Sequence, residues 1–297
     1  MTPNVLIIIA NWNGKEYLSD CLRSVFNQSY RNFKIILVDN GSTDDSIEFV
    51  KKNYPDVEII PLDKNYGFAK ANNIAMETAL KDKTIEYIAL LNNDTKVEKK
   101  YLSELVKIIS SDNKIGICAS KMLRMDNPGI LDSTGHIFVD GLGMIGDRGG
   151  NETDTGQYDD KPDVVGACAG ACLYRKKMLE ETGLFDESFG SYYEDAELSW
   201  RAYKAGWKAK YVPTSVVYHK RYGTFKKNKI LQEEIRNQSI LNIMRTIRRH
   251  ATAKQKLRIT LIWFKGAIEQ RIGLLFCGKK FESDYLERLK LLWFRKI

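Results

Sequence analysis

The sequence lacks the glycine-rich loops of two common nucleotide-binding folds. No Gly-x-Gly-x-x-Gly pattern follows the first apolar segment, and the chain contains no Gly-Lys-Ser/Thr loop. Dehydrogenases and phosphate-loop ATPases use such loops to bring backbone N–H groups close to the phosphates. Their absence argues against an NAD-binding fold and against a phosphate-loop ATPase.

Long apolar runs are absent as well. The run Val5–Ala10 is short and has no basic lead-in, so we expect no signal peptide. The five cysteines (21, 118, 168, 172 and 277) are odd in number and lie mostly in apolar runs, which predicts reduced thiols in a cytosolic protein. Cys168 and Cys172 have no second Cys/His pair nearby, and this argues against a zinc site.

The charge of the chain is distributed unevenly. The 297 residues are 43% hydrophobic and 28% charged, as in an ordinary soluble globular protein. Residues 220–297 contain 20 Lys and Arg against 6 Asp and Glu, whereas residues 1–219 carry a net charge of −6. The basic C-terminal region is therefore expected to face an anionic partner, either a membrane surface or nucleic acid.

Apolar segments alternate with helical patterns through the first 120 residues. The predicted strands are Val5–Ala10, Phe33–Val38, Val57–Ile60, a segment that begins at Tyr87, and Ile115–Ala119. The predicted helices occupy residues 14–27, 43–50, 67–80 and 98–109. This alternation is typical of an α/β fold with a Rossmann-like parallel sheet.

After residue 121 the pattern is less regular. Residues 130–165 are rich in Gly, Asp and Thr, so we expect irregular hairpins and a mobile segment near residues 148–161. We also predict a pair of strands within Val164–Arg175, a helix from about Asp195 to Ala205, and an edge strand at Lys208–Val212. From about Thr224 onward the chain is predicted to be helical and basic.

Polar residues follow each of the first strands. They are Asn11–Asn13, Asp39–Ser42, Asn65–Gly67 and Asn92–Asp94. In parallel sheets, ligands collect at the carboxyl ends of the strands. Asp94 is well placed there to hold a divalent cation on a phosphate; alternatively, Asn92, Asn93 and Asp94 only cap the next helix.

Eight short motifs occur in a fixed order between residue 4 and about residue 221. They are Asn11–Gly14, Val38–Asp44, Asn65–Asn73, Leu91–Thr95, Gly183–Glu187, Tyr193–Arg201, Ala205–Trp207 and Val217–His219. Together they resemble the family 2 glycosyltransferases with a GT-A fold, in particular the rhamnosyltransferase-like branch. The resemblance implies a GT-A catalytic domain over residues 1–222, with a nucleotide-binding half to about 120 and an acceptor half after it. Residues 223–297 would form a basic amphipathic helical region.

The resemblance also implies a nucleotide-sugar donor and a single inverting displacement. Asp39 stands where the family contacts the pyrimidine base, although it can equally begin a turn with Gly41. Ala10 and Trp12 resemble residues that line the same base pocket, with core packing as the alternative for Trp12. Lys70 is either a phosphate ligand or an exposed helix lysine.

The metal motif of the family is usually Asp-x-Asp, and here it is Asn92-Asn93-Asp94. Asp94 must then supply the anionic ligand. His219 stands where related enzymes supply a second protein ligand to the metal. A carboxylate and an imidazole favour Mn²⁺ over Mg²⁺. The alternative for His219 is a buried histidine with a purely structural hydrogen bond.

The catalytic base is expected at Glu194-Asp195. An inverting transfer needs a carboxylate that takes the proton of the acceptor hydroxyl. The resemblance assigns this role to Asp195, and Glu194 would orient Asp195 or the acceptor; favourable charge at a helix start is the alternative for both acids. Gly170 is expected to allow close approach of the acceptor, and Tyr193 either stacks on an acceptor sugar or packs internally.

The basic C-terminal region contains apolar and aromatic residues around Leu257–Phe264 and Leu289–Phe294. Such helices tend to lie in the plane of a membrane interface. Packing against the catalytic domain or in a dimer is the alternative, and no nucleic-acid-binding motif is present. We therefore expect a cytoplasmic enzyme that is peripheral on the inner face of the cell membrane.

The predicted function is metal-dependent inverting glycosyl transfer. The donor would be a dTDP- or UDP-sugar, with dTDP-rhamnose as one candidate and a UDP-hexose as the alternative, and the acceptor a lipid-linked or surface glycan. A catalytically silent nucleotide- or glycan-binding module is a second alternative, because the first carboxylate of Asp-x-Asp is missing. A nucleotidyltransferase is less consistent with the chain, which has no Gly- and basic-rich loop after its first strand.

Overall fold

The computed structural model describes residues 2–139, 144–221 and 229–277. Within these ranges there are twelve strands and eight α-helices. The strands are β1 Asn4–Asn11, β2 Phe33–Asp39, β3 Glu58–Pro61, β4 Ile85–Asn92, β5 Thr95–Val97, β6 Ile115–Arg124, β7 Asn127–Ser133, β8 His136–Val139, β9 Met144–Asp147, β10 Asp163–Val164, β11 Ala171–Arg175 and β12 Lys208–His219. The helices are α1 Lys15–Phe26, α2 Ser46–Asn53, α3 Phe68–Lys81, α4 Tyr101–Ser111, α5 Lys176–Thr182, α6 Glu194–Lys204, α7 Lys229–His250 and α8 Ala253–Cys277.

Ten of these strands form one mixed, mostly parallel sheet. The order along the sheet is β10-β12-β6-β11-β4-β1-β2-β3, with β5 paired to β12 and β7 paired to β6. The pairs β3–β2, β2–β1, β1–β4 and β12–β6 are parallel, while β11 runs antiparallel between β4 and β6. The predicted alternation of strands and helices over the first 120 residues is therefore confirmed.

Helices cover both faces of the sheet, as the fully apolar strands predict. Along β1, alternate side chains enter different cores because successive residues of a strand point to opposite faces. Val5, Ile7 and Ile9 pack with α1 and α4, whereas Leu6 and Ile8 pack with α3 and α5. The sheet thus has its carboxyl-terminal edge open between two helical layers.

Two strand predictions are wrong. Lys208–Val212 is not an edge strand; it begins the long strand β12, which lies between β10 and β6. The strands within Val164–Arg175 do not pair with each other either, because β10 pairs with β12 and β11 lies between β4 and β6. A short apolar run indicates a buried strand but carries no information about its partners.

The irregular region after β7 contains the hairpin β8–β9 and a folded loop. Arg148, within the segment predicted to be mobile, is buried. Its guanidinium donates hydrogen bonds to the hydroxyl and the carbonyl of Thr134 and to the carbonyl of Lys161. These contacts connect the start and the end of the segment.

The first C-terminal helix, α7, packs against α6 and β9 of the catalytic body. Helices α7 and α8 share a small apolar core formed by Met244, Ile247, Ala251, Ile259 and Trp263. Within the described ranges, no helix is long and apolar enough to cross a bilayer. The apolar residues around Leu289–Phe294 lie outside the described residues.

The cysteines with described side chains are free thiols, as predicted: Cys21, Cys118, Cys168 and Cys172. Burial raises the pKa of Cys21 and Cys172 to about 12, so these two groups stay protonated and unreactive near neutral pH. The side chain of Cys277 lies outside the described part of the chain.

Candidate active site

A cavity of about 460 Å³ opens at the carboxyl ends of β1 and β4. Most of the residues proposed from the sequence line it. They are Ala10, Trp12, Asn92, Asn93, Asp94, Gly170, Tyr193, Glu194, Asp195 and His219. The fold thus brings residues from both halves of the chain, from Ala10 to His219, to one cavity.

Asp39 lies beneath the cavity rather than in its lining. Its carboxylate accepts hydrogen bonds from Asn11 Nδ2 (2.9 Å) and from the backbone N–H of Ser42 (3.0 Å). Asn11 Oδ1 in turn accepts a bond from Asn93 Nδ2 (2.7 Å). Asp39 therefore fixes the turn through Gly41, which has φ +74°, and ties the end of β2 to the end of β4. The next residue, Asn40, does line the cavity.

Lys70 is also absent from the cavity lining. Its ammonium group lies 4.7 Å from the ring centre of Tyr66 and 3.8 Å from Glu187 Oε2. The side chain is 40% exposed, so the contact with Glu187 is a weak surface ion pair. This arrangement agrees with the alternative interpretation of an exposed helix lysine.

Asp94 and His219 face each other because β12 pairs with β5, which places His219 opposite Thr95. Asp94 Oδ1 lies 3.2 Å from His219 Nε2, and His219 Nδ1 lies 2.7 Å from Asp132 Oδ2. Burial alone would lower the pKa of His219, but the carboxylates of Asp94 and Asp132 outweigh it and raise this pKa to about 9. The two carboxylates therefore favour the protonated, imidazolium form of His219, which lies between them.

The same geometry suits a divalent cation. Two ligands at about 2.1 Å from an octahedral ion, at neighbouring positions, are about 3 Å apart, close to the separation of Asp94 Oδ1 and His219 Nε2. The bond from His219 Nδ1 to Asp132 is the outer-shell contact that metal-binding histidines usually make. Arg221 pairs with the other oxygen of Asp132. Within the described ranges, no group of three or more His, Cys, Asp or Glu residues could hold a metal ion, and Asp94 and His219 are the candidate protein ligands there.

Glu194 and Asp195 begin α6 at the cavity wall. Asp195 Oδ2 accepts a hydrogen bond from the backbone N–H of Ala169 (2.9 Å) and Oδ1 one from that of Ala196 (2.7 Å), which fixes the carboxylate. Glu194 is buried, and among the described residues its Oε2 has no hydrogen-bond partner. Burial, and then the charge of Asp195, raise the pKa of Glu194 well above its ordinary value. Burial thus favours the protonated form of Glu194 beside the Asp195 carboxyl group.

Residues 6–183 match the family model described as Glycosyl transferase family 2, which is more than half of the chain. The chain belongs to this family. It is therefore a glycosyltransferase that uses a nucleotide-sugar donor, as the resemblance of the eight motifs predicted.

A curated relative and two solved structures are similar to this glycosyltransferase. The N-acetylglucosaminyl-diphospho-decaprenol L-rhamnosyltransferase of Mycobacterium tuberculosis is 26% identical over 254 residues, which cover 75% of this chain and 78% of the relative. GalNAc-T7 with UDP, GalNAc and Mn²⁺ superposes with a TM-score of 0.67 at 17% identity, covering 97% of this chain and 53% of that one. The mannosyltransferase PcManGT of Pyrobaculum calidifontis with GDP-Man and Mn²⁺ superposes with a TM-score of 0.61 at 16% identity, covering 98% and 73%. These likenesses show that the fold is GT-A, as predicted.

Gly170 and Tyr193, the two residues assigned to the acceptor from the sequence, have different surroundings in the structure. Gly170 lines the cavity, and a Cβ there would lie 3.1 Å from Met122 Cε and 3.3 Å from Asn92 Nδ2, so the site has little space for a side chain. The Tyr193 hydroxyl donates to the carbonyl of Ile145 (2.7 Å) and accepts from its N–H (2.9 Å). Tyr193 is thus held by β9, in agreement with the packing alternative.

Sequence reasoning missed several residues that line the cavity of the transferase. They are Asp132, Ser133, His136, Asp147, Arg221 and Ser239. His136 Nε2 lies 3.6 Å from Asp147 Oδ1 and 4.0 Å from Asp195 Oδ2. Burial raises the pKa of Asp147. They lie on β7, β8, β9 and α7 and just after β12, in stretches without a recognisable sequence motif, so only the folded chain brings them into the cavity that Asp195 also lines.

Proposed function

We propose that this glycosyltransferase inverts the anomeric centre of a nucleotide-bound sugar and transfers it to a lipid-linked or surface glycan. The observation that carries the proposal is that Asp94, His219 and Asp195 face one cavity. Rhamnose from dTDP-rhamnose is the favoured sugar, supported by the name of the mycobacterial relative. A UDP-hexose donor is the alternative, supported by the solved structure that contains UDP, GalNAc and Mn²⁺.

Asp94 and His219 would hold the cation, Mn²⁺ by preference and Mg²⁺ otherwise, together with donor phosphates and water. Such a cation neutralises the charge that builds up on a departing nucleoside diphosphate. His219 would then present a neutral Nε2, with Nδ1 carrying the proton that faces Asp132. Ala10, Trp12 and Asn40 line the adjoining part of the cavity, where the base and ribose of the donor would lie.

Asp195 is proposed as the general base. Its carboxylate takes the proton of the acceptor hydroxyl while that oxygen attacks the anomeric carbon from the side opposite the diphosphate. The N–H of Ala169 holds Asp195 in a fixed orientation. Glu194, whose burial favours the protonated form, would orient Asp195 or the acceptor by donating a hydrogen bond.

The C-terminal helices are proposed to keep the enzyme peripheral on the inner face of the cell membrane. On α8 the side chains of Leu257, Leu261 and Phe264 are 56%, 61% and 55% exposed. Positions 257, 261 and 264 share one helix face, and Lys254 and Arg258 belong to the flanking positions. An apolar stripe beside basic residues suits an anionic lipid surface, which is where a lipid-linked acceptor would be found.

The first experiment is a thermal shift of the purified protein with dTDP, UDP and GDP, with and without Mn²⁺. A ligand at a hundred times its dissociation constant stabilises by about 2.7 kcal/mol. We expect one nucleotide to shift the melting temperature in a Mn²⁺-dependent manner, and Asp94→Ala to lose this shift. Asp163→Ala, which changes an exposed acid away from the cavity, is the matched control and should keep it.

A transfer assay then separates an enzyme from a silent binding module. Asp195→Asn should bind the nucleotide as the wild type does and transfer sugar at least about a hundred-fold more slowly. Nucleotide binding by the wild type without transfer or donor hydrolysis would favour the binding module. The absence of any shift with all three nucleotides would refute the donor site itself.

A further inference from the structure

The chain that leads into Asp195 has an unusual backbone conformation. Gly190, Tyr192 and Tyr193 have φ angles of +65°, +73° and +73°. Left-handed conformations are costly for residues with a bulky side chain, and they persist only when surrounding contacts hold them. We call Gly190–Tyr193 the left-handed turn. It ends one residue before Glu194 and two before Asp195, so its shape sets where α6 begins.

One residue of α7 contacts most of this turn. Asn242 is fully buried, and its Nδ2 lies within hydrogen-bond distance of three backbone carbonyls. They belong to Phe189 (2.9 Å), Ser191 (3.2 Å) and Tyr192 (2.7 Å). The two N–H groups of one side-chain amide are therefore shared among backbone carbonyls just before and within the turn.

The orientation of the Asn242 amide is fixed from its other side. Its Oδ1 accepts hydrogen bonds from Gln238 Nε2 (3.1 Å) and Arg245 Nη1 (3.1 Å). Gln238 also donates to the carbonyl of Phe189, and Arg245 donates to that of Ser188. The spacing 238, 242, 245 places the three side chains on one face of α7. Through these side chains, α7 donates hydrogen bonds to the backbone carbonyls of the segment that precedes the proposed base.

The turn also meets both halves of the catalytic body. The carbonyl of Gly190 accepts a hydrogen bond from the N–H of Ala69 (2.8 Å), and Ser191 Oγ accepts one from the N–H of Phe68 (2.9 Å), both at the start of α3. On the other side, the Tyr193 hydroxyl is bonded to Ile145 of β9. The turn thus lies where the start of α3, strand β9 and helix α7 meet.

We propose that Asn242 is a positioning residue for glycosyl transfer. It holds the left-handed turn in its conformation from α7 and thereby keeps Asp195 in line with the acceptor hydroxyl. Asn242 touches no reacting atom and acts through the backbone of residues 189–193. The inference rests on the proposed role of Asp195 as general base. In this proposal α7, which belongs to the basic C-terminal region, contributes to the geometry of the active site.

The decisive variant is Asn242→Asp, which keeps the size of the side chain. A carboxylate oxygen would replace the amide nitrogen and face three carbonyl oxygens without a proton to donate. We expect kcat for transfer to fall about 10- to 100-fold, because a misplacement of about 1 Å in a catalytic group has effects of this size. The dissociation constant of the donor nucleotide should stay within about three-fold, because most donor-side cavity residues belong to other elements.

Asn237→Asp is the matched control, since it makes the same chemical change on the same helix at an exposed position. We expect it to leave kcat and nucleotide affinity unchanged. A general loss of stability in Asn242→Asp would instead lower nucleotide affinity and the melting temperature along with kcat. Circular dichroism and nucleotide titration distinguish the two results. If Asn242→Asp does not fold, Gln238→Leu removes one bond to Phe189 and one to Asn242 and should reduce kcat about three- to ten-fold.

A double-mutant cycle tests the route through Asp195. If Asn242 acts by placing Asp195, Asn242→Asp should not slow the residual transfer of Asp195→Asn any further. The positioning role would be overturned if the fold reductions in kcat of the two single variants multiplied in the double variant. It would also be overturned if Asn242→Asp folded and had the kcat of the wild type. Wild-type kcat in Asp195→Asn alone would refute the assigned base, and the positioning role with it. Loss of transfer in Asp195→Asn but not in Asn242→Asp would refute the positioning role only.

Discussion

Asp132 offers a test of the proposed cation site that does not touch the cation ligands. Its Oδ2 bonds to His219 Nδ1 at 2.7 Å, and its other oxygen pairs with Arg221. Burial alone would raise the pKa of Asp132, but its contacts with His219 and Arg221 lower it, so this group is an anion near neutral pH. The substitution Asp132→Asn keeps the shape and removes the charge. The amide has one oxygen for two donors, so either His219 or Arg221 then faces an NH₂ group.

The expected effect is a weaker cation site rather than a lost one. Outer-shell partners of metal-binding histidines contribute about 10- to 100-fold in metal affinity, or about 1.4–2.8 kcal/mol. We therefore expect the Mn²⁺ concentration for half-maximal transfer to rise about 10- to 100-fold in Asp132→Asn. The rate at saturating Mn²⁺ should recover to within a few-fold, because Asp94 and His219 Nε2 are still present.

The assay measures the initial rate of transfer as a function of Mn²⁺ concentration at saturating donor. A second titration measures nucleotide binding over the same Mn²⁺ concentrations. Asp147→Asn is the matched control because Asp147 also lines the cavity but bonds to Ser133 instead of His219. It should leave the Mn²⁺ dependence unchanged, whatever its effect on rate. An unaltered Mn²⁺ dependence in Asp132→Asn, or a rate that excess Mn²⁺ does not restore, would refute the reasoning.

Three further predictions concern the pH dependence of stability, the packing of α6 and the surface of α8. Glu197 is buried, which by itself raises its pKa, but hydrogen bonds from a histidine of α7 and an arginine of α6 lower it below 4.5. Because the pKa of Glu197 is lower in the folded state, its ionised form stabilises the fold above pH 4.5, and this stabilisation is lost as the pH falls. Between pH 6 and pH 3 the free energy of unfolding, measured by urea titration, should therefore decrease more in the wild type than in Glu197→Gln. Gly166→Ala would place a Cβ 1.9 Å from Ser199 Oγ, and calorimetry should show a loss of about 1–3 kcal/mol in stability. Phe264→Ser should reduce the fraction of protein that sediments with anionic vesicles and leave the melting temperature unchanged. Tyr203→Ser changes a similarly exposed residue on α6 and should sediment as the wild type does. Equal binding by the wild type and both variants would argue against the lipid surface.

The donor side of the site was predictable because its signals are local. Each early strand is a short apolar run followed directly by polar residues, as at Asn11, Asp39 and Asn92. Parallel strands end at the same edge, so the sequence order alone brings these positions together. Whether each side chain faces the ligand was not predictable from the same pattern. Asp39 lies beneath the cavity, where it ties two strand ends together through Asn11.

The strand partners after residue 121 were not predictable in this way. Strand β11 lies antiparallel between β4 and β6, and β12 crosses the sheet from β10 to β5. Nothing in a run such as Ala171–Arg175 specifies its neighbours, because apolar content measures burial and not pairing. The pairing of β12 with β5 is nevertheless what places His219 beside Asp94.

The sequence by itself determined the alternation of strands and helices, the polar edge of the sheet and the motifs that identify the family. These features depend on neighbours in the chain, which periodicity and spacing record. Only the tertiary structure decided the partners of the motif residues: Asp132 beneath His219, Asp147 near Asp195, and Asn242 behind the left-handed turn. The members of each pair are 48 to 87 positions apart in the sequence, and their proximity follows from how β9, β12 and α7 pack rather than from any local pattern.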